Sequence, residues 1–229
     1  MSETEFHLGL HLEPELKSML PVTIGLRSPQ IEDAEDIFRI WIDRLPEAEP
    51  GYEDHSERRA MQFLVPEDSG GQRAGIEKFS FVITDALRYP ERFYMQVATD
   101  NNENLVGYIR AEAPPYEAFT ELGGLSVSKQ SEGKGVASLL LDSALDWART
   151  MVRPPRPVRA LVAPGNQRSL RLFTSNPNRQ FTYVGKTTKG ETYTQEATSS
   201  GQLIGIPMLF DVMELGLPTL LGNQVASRQ

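Results

Sequence analysis

The reading of this chain turns on residues Glu121–Ala148, ELGGLSVSKQSEGKGVASLLLDSALDWA. The first part, up to Val127, has the look of a strand, but Gly123 and Gly124 sit in its middle. Glycine inside a strand marks a bulge or a close approach by another backbone. A second glycine pair, Gly133 and Gly135, then flanks Lys134. From there Val136, Leu139, Leu140, Ala144, Trp147, Ala148 and Met151 fall at helical spacing on one predicted face. A helix starting at this turn aims unpaired N–H groups and a positive dipole end at whatever lies above it, a natural seat for phosphate. The plainer alternative is a turn into an ordinary packed helix. Neither the P-loop pattern nor the third glycine of a dinucleotide fingerprint is present.

Upstream, VTIGLR from Val22 reads as a first strand. Ser28 and Pro29 read as N-cap and first helical position. Ile31, Ala34, Ile37, Phe38, Trp41, Ile42 and Leu45 predict a helix with one buried face. Asp54 and Glu57 form a capping box before a short helix ending near Leu64. After the PEDSGG break, a helix carrying Ile76, Phe79, Val82, Ile83, Ala86 and Leu87 stops at Pro90. FYMQVAT and LVGYIRAEA read as a hairpin joined by DNNEN.

Downstream, VRALVA reads as a short buried strand, Asn166 to about Ser175 as a helix, and FTYVGK as a strand. GETYTQEATSSGQ reads as a polar excursion before a closing strand, IPMLFDVMEL. The expected organisation is an N-terminal extension over 1–20, one α/β (α+β) domain over 21–216, and a flexible tail over 217–229. Phe6, Leu8, Leu10 and Leu12 alternate as a strand would, which suits a loose tail or an arm reaching a second subunit.

A formal net charge of -8 argues against a nucleic-acid partner. The absence of cysteine removes disulfides, thiolate metal sites and thiol nucleophiles. His7 and His11 are four apart, but the strand alternation there opposes the helix that metal binding needs, so no metal is expected. The chain lacks an apolar run long enough to span a bilayer and a signal-like start, and reads as a cytoplasmic protein with no membrane partner.

The central stretch resembles the signature of the GNAT superfamily of N-acetyltransferases, a strand ending L-x-V followed by Q/R-x-x-G-x-G/A and a helix. Leu125-Ser126-Val127 matches the strand end, and Glu132, Gly133, Lys134, Gly135, Val136 and Ala137 match the six-residue signature. Glu132 departs from the usual Gln or Arg; Gln130 fits the pattern literally, two residues out of register. APGNQRSLRLF resembles the family's N-x-x-A/S-x-x-L-Y segment through Asn166, Ser169, Leu172 and Phe173. The ends, VTIGLRSPQIEDAEDIFRIW and MLFDVMEL, look like the family's opening and closing elements.

The resemblance implies a mixed, mostly antiparallel sheet whose central strands splay, flanked by helices, with acetyl-CoA in the gap. Leu125, Ser126 and Val127 would then meet pantetheine and the acetyl carbonyl, and Glu132–Ala137 the pyrophosphate. A carboxylate there repels phosphate, so Glu132 must point away or be offset by Lys134. Glu121 stands where several members carry a catalytic glutamate; its alternative is a solvated or paired carboxylate. Phe173 replaces the usual acid tyrosine, leaving Tyr183 or Tyr193, or unassisted departure of the thiolate. Asn166 reads equally as cofactor contact and as N-cap. Arg168 and Arg171 read as CoA-phosphate ligands or as surface charges.

The expected activity is acetyl transfer from acetyl-CoA to the amine of a small molecule, by direct attack in a ternary complex, in a monomer or homodimer. Acidic residues between Asp43 and Gly71 (Glu47, Glu49, Glu53, Asp54 and Glu57) suit a cationic acceptor or simply a solvated surface. The alternatives are a protein or peptide N-acetyltransferase and a non-catalytic acyl-CoA-binding module.

Overall fold

The computed structural model describes residues 23–44, 69–162, 166–176, 179, 181–197 and 203–215. The expectations placed on 1–20, on the acidic residues and short helix within 45–64, and on the tail at 217–229 lie outside the described residues.

The elements in chain order are β1 (Gly25–Arg27), a 3-10 turn (Ile31–Asp33), α1 (Ala34–Arg44), α2 (Ser69–Arg88), β2 (Phe93–Thr99), β3 (Leu105–Glu112) and β4 (Thr120–Val127). A second 3-10 turn (Lys129–Ser131) leads to α3 (Val136–Thr150), β5 (Val158–Val162), α4 (Gln167–Thr174), β6 (Thr182–Ala197) and β7 (Leu203–Leu215). The strands form one sheet in the order β1-β2-β3-β4-β5-β7-β6. Among the described strands only β4 and β5 run parallel; every other pair is antiparallel. This is the mixed, mostly antiparallel α/β architecture that the sequence implies.

Alternation along the strands divides the core into two layers. On one face Ile37, Phe38, Phe79 and Ile83 of α1 and α2 bury against Met95, Val97 and Tyr108. Phe38, Trp41, Phe79 and Tyr108 meet there, ring to ring, at centroid separations of 5.7 to 6.5 Å. On the opposite face Val136, Leu140, Leu141, Ala144 and Leu145 of α3 pack on Ile109, Ala111, Leu122, Ala160 and Met213. Gly107 on β3 lets the first turn of α3 come close: a Cβ there would stand 3.2 Å from both Val136 and Leu140.

Several expectations need correction. The helical region begins at Gln30, not Ser28, because the Asp33 carboxylate accepts from the Gln30 N–H at 2.6 Å and anchors the turn there. Ile31 and Ile42 are exposed, off the stripe of Ala34, Ile37, Phe38 and Ile40. On α3 the buried stripe is Val136, Leu140, Ala144 and Ala148 flanked by Leu141 and Leu145, so Leu139 and Met151 face outward. Leu87 is exposed, and α2 starts at Ser69, running through the glycines expected to break it. The polar excursion is strand: β6 continues to Ala197 against β7, which starts at Leu203. An edge strand need not bury both faces, so its polarity hid it.

Asp33 ties β1 to the helical layer. Arg27 donates Nη1 and Nη2 to its two oxygens at 2.7 and 2.8 Å. Burial pulls the Asp33 carboxyl upward, but the hydrogen bonds from Arg27 and the Gln30 N–H, together with the Arg27 charge, hold it below the usual value. A depressed carboxylate contributes stability above its unfolded value and loses it as pH falls through the folded one. Asp33→Asn is expected to lower stability by about 1–2 kcal/mol at neutral pH. Chemical denaturation across pH 7 to 3 should show the difference from the unsubstituted chain shrinking on acidification.

Candidate active site

The sheet opens between β4 and β5. The parallel ladder joins Thr120, Glu121 and Leu122 to Val158, Arg159 and Ala160, and there it ends. Beyond it β4 stays bonded to β3 as far as Val127, while β5 stays bonded to β7 through Val162. The two strands therefore part, and from Gly123 onward β4 offers an open edge whose backbone groups suit an added extended chain.

The parting coincides with a bulge. Arg110 pairs with Gly123 and Ile109 with Leu125, so Gly124 is the extra residue, at φ 69°. The Arg110 side chain lies across both glycines: a Cβ on Gly124 would stand 3.1 Å from Arg110 Nε, and one on Gly123 3.5 Å. Past the bulge, Leu125 and Val127 turn their side chains into the α3-side core, which leaves their backbone for any ligand in the gap. Ser126 faces the other way and shares a hydrogen bond with Tyr108. Burial pushes the Tyr108 hydroxyl up to about 12, opposed by the Ser126 hydrogen bond and the Arg110 charge, so it stays protonated.

The glycine turn stands at the end of this strand. Gly133 and Gly135 take φ of 72° and 79°, which other residues adopt only with strain, and nothing lies within 4 Å of a Cβ built on either. Gly135 is the N-cap of α3, and the Leu139 N–H bonds its carbonyl at 3.0 Å. The N–H groups of Val136, Ala137 and Ser138 precede that bond and have no acceptor within the helix. The Val136 side chain is buried, so only its backbone is available. Space, positive dipole and free donors together fit a phosphate.

Glu132 is offset, but not by Lys134. Its Oε1 accepts from Arg44 at the end of α1 and from Arg168 of α4, the latter at 2.8 Å. The charge of Lys134 instead reaches Asp100 in the β2–β3 turn. Arg171 stays on its own helix, donating Nε to the Gln167 carbonyl at 3.3 Å.

Glu121 lies on the face of the sheet that carries Arg110 and α2. Its cross-strand neighbours are Glu112 and Arg159, and Arg159 donates Nε to Glu214 at 2.6 Å. A cleft of about 130 Å3 opens beside it, with Asp85, Arg110, Glu112, Glu121 and Gly123 among its lining. Three carboxylates and one guanidinium give it an acidic character. Arg110 was missed from sequence because only the β3–β4 register brings it onto the glycines. Among the described residues no three of His, Cys, Asp and Glu gather as a metal site.

Asn166 and Phe173 find partners within the protein. Asn166 caps α4, accepting from the Ser169 N–H at 3.0 Å. Phe173 is buried in the core against Phe181, ring centroids 4.9 Å apart. Tyr183 is set apart from the gap: it is exposed on β6, with β7 between it and β5. Strand spacing places it roughly 10 Å from β5. It pairs with Met213, which pairs with Ala160 and so with Leu122, putting its side chain on the face opposite Glu121. Tyr183 is not brought to Glu121.

Residues 36–176 match the sequence model of the acetyltransferase (GNAT) family. This chain belongs to that family. The GNAT fold is equally plain in solved structures. An N-acetyltransferase from Staphylococcus aureus Mu50 is 18% identical and superposes with a TM-score of 0.58, covering 86% of this chain and 99% of that one. A ribosomal-protein-alanine N-acetyltransferase from Brucella melitensis is 20% identical at a TM-score of 0.54, covering 84% and 99%. The PaiA N-acetyltransferase of Thermoplasma acidophilum, solved with coenzyme A, is 15% identical at a TM-score of 0.50, covering 85% and 99%. No curated protein matches the chain. Among the described residues no helix of this GNAT protein is long and apolar enough to cross a membrane.

The two glycine sites should respond differently to a methyl group. Gly135→Ala meets open space, and only the φ strain of about 1–2 kcal/mol remains. Gly124→Ala meets the same strain and must also displace Arg110, so it is expected to lose more stability. Paired urea denaturation curves check the order.

Proposed function

We propose that this GNAT protein is an N-acetyltransferase that moves the acetyl group of acetyl-CoA onto a small cationic amine, by direct attack in a ternary complex. The observation that carries the reading is the coincidence, at one end of β4, of the strand parting, the Gly124 bulge and the glycine turn. The open edge of β4 at Leu125–Val127 suits the amides of a pantetheine arm, and the N–H groups of Gly133–Ala137 suit the pyrophosphate. Acetyl-CoA supplies the activated thioester; the chain supplies position, charge and proton acceptance.

Asp85, Glu112 and Glu121 draw a protonated amine into the cleft. Its size suits an amine terminus of a few heavy atoms, which favours a small acceptor or one chain end over a folded surface. Glu121 takes the proton from the attacking nitrogen, directly or through water, as the N–C bond forms and the C–S bond breaks. Arg110, laid over Gly123 and Gly124, places positive charge beside the reacting centre, disfavouring the protonated amine there and favouring charge that develops on the acyl oxygen. The thiolate departs without a side-chain acid, since Phe173 has no proton to give.

That last point also favours a second reading, a non-catalytic acyl-CoA-binding module. Turnover of acetyl-CoA with a panel of mono-, di- and polyamines decides between them. Under the proposal Glu121→Gln lowers kcat by about 100-fold or more while the Kd for acetyl-CoA stays within about twofold. An unchanged kcat removes Glu121 as the base. No turnover in the unsubstituted enzyme, with acetyl-CoA still bound, leaves the binding module.

A further inference from the structure

The charges around Glu132 have no sufficient structural purpose. The side chains of Arg44, Glu132 and Arg168 are 21%, 34% and 63% exposed, and partly exposed ion pairs contribute little stability. Yet one carboxylate oxygen gathers guanidiniums from the last residue of α1 and from the first turn of α4. Among the described residues neither guanidinium has another hydrogen-bond partner, and each carries five N–H donors. The residue that collects them is the immediate neighbour of Gly133, where the backbone opens into free space.

We propose that Arg44 and Arg168 are phosphate-binding residues of the glycine turn, with Glu132 as the positioning residue that holds both guanidiniums beside it. The trio carries a net charge of plus one, so the carboxylate at the signature's first position brings in more positive charge than it adds negative. Arginine is suited to this because its planar fork engages one anion while leaving donors for another. The inference rests on the reading of the glycine turn as the diphosphate seat of CoA.

The trio makes an opposite prediction to simple charge repulsion. If Glu132 merely repels phosphate, Glu132→Gln tightens CoA; if it holds the arginines, the same change weakens CoA. The test is calorimetric titration of CoA into the full chain and into Arg44→Gln, Arg168→Gln and Glu132→Gln, at two salt concentrations. Each arginine substitution is expected to weaken CoA roughly tenfold and to flatten the salt dependence. Glu132→Gln is expected to weaken it several-fold, with the unliganded Tm of all three within about 3 °C of the parent.

Tighter binding in Glu132→Gln, or unchanged binding in both arginine variants, overturns the assignment while leaving the parent's CoA site intact. A large Tm drop in the variants also overturns it, because the trio is then structural. Failure of the parent to bind CoA at all instead removes the underlying reading of the glycine turn.

Discussion

The site depends on one limit, the end of the parallel β4–β5 ladder at Leu122 and Ala160. A strand cannot keep both neighbours in register through an extra residue, and Gly124 is that residue. β4 keeps its bonds to β3 and gives up those to β5. The bulge sets φ at 69°, and a Cβ there would press on Arg110 at 3.1 Å, so glycine satisfies two demands at once. The remaining geometry is a consequence of that parting. β4 runs free to Val127, the second 3-10 turn reverses the chain, and α3 begins with its N–H groups at the mouth of the gap. Gly107 allows α3 to seat against β3 and fixes how close that mouth lies to the sheet.

Charge is distributed by face as well. In the Glu121 row the residues across the strands are Glu112, Glu121, Arg159 and Glu214, and Asp85 joins them from α2. On the turn side of the gap the described charges around Glu132 sum the other way, with Arg44 and Arg168 outnumbering it. On the reading proposed above, the acidic cleft receives a cationic acceptor and the cationic rim receives a phosphate-bearing donor. Such a division separates two substrates by charge before either makes a specific contact.

Much of the fold was legible because the decisive residues are local. The mid-strand glycines announced the bulge, and the glycine pair flanking Lys134 announced the turn, since Gly124, Gly133 and Gly135 each take a positive φ that favours glycine. The hairpin of β2 and β3 carried its own alternation. The illegible features depend on register or on distance. Arg110 reaches the bulge only through the pairing of β3 with β4. The partners of Glu132 stand 88 and 36 residues away, and no local pattern points to them. Tyr183 looked like a replacement acid by residue type alone; strand order places it beyond β7. Leu139 and Met151 fit the period of α3, yet the stripe that is buried belongs to the neighbouring rows.

The central claim, that the parted strands and the glycine turn together hold acetyl-CoA, is tested most directly by hydrogen–deuterium exchange with and without saturating acetyl-CoA. Amides that gain a ligand acceptor should slow at the open edge of β4, over Leu125–Val127, and at the turn, over Gly133–Ser138, with little change along β2. Saturable binding that leaves both stretches unprotected, or protects only one of them, would contradict the account.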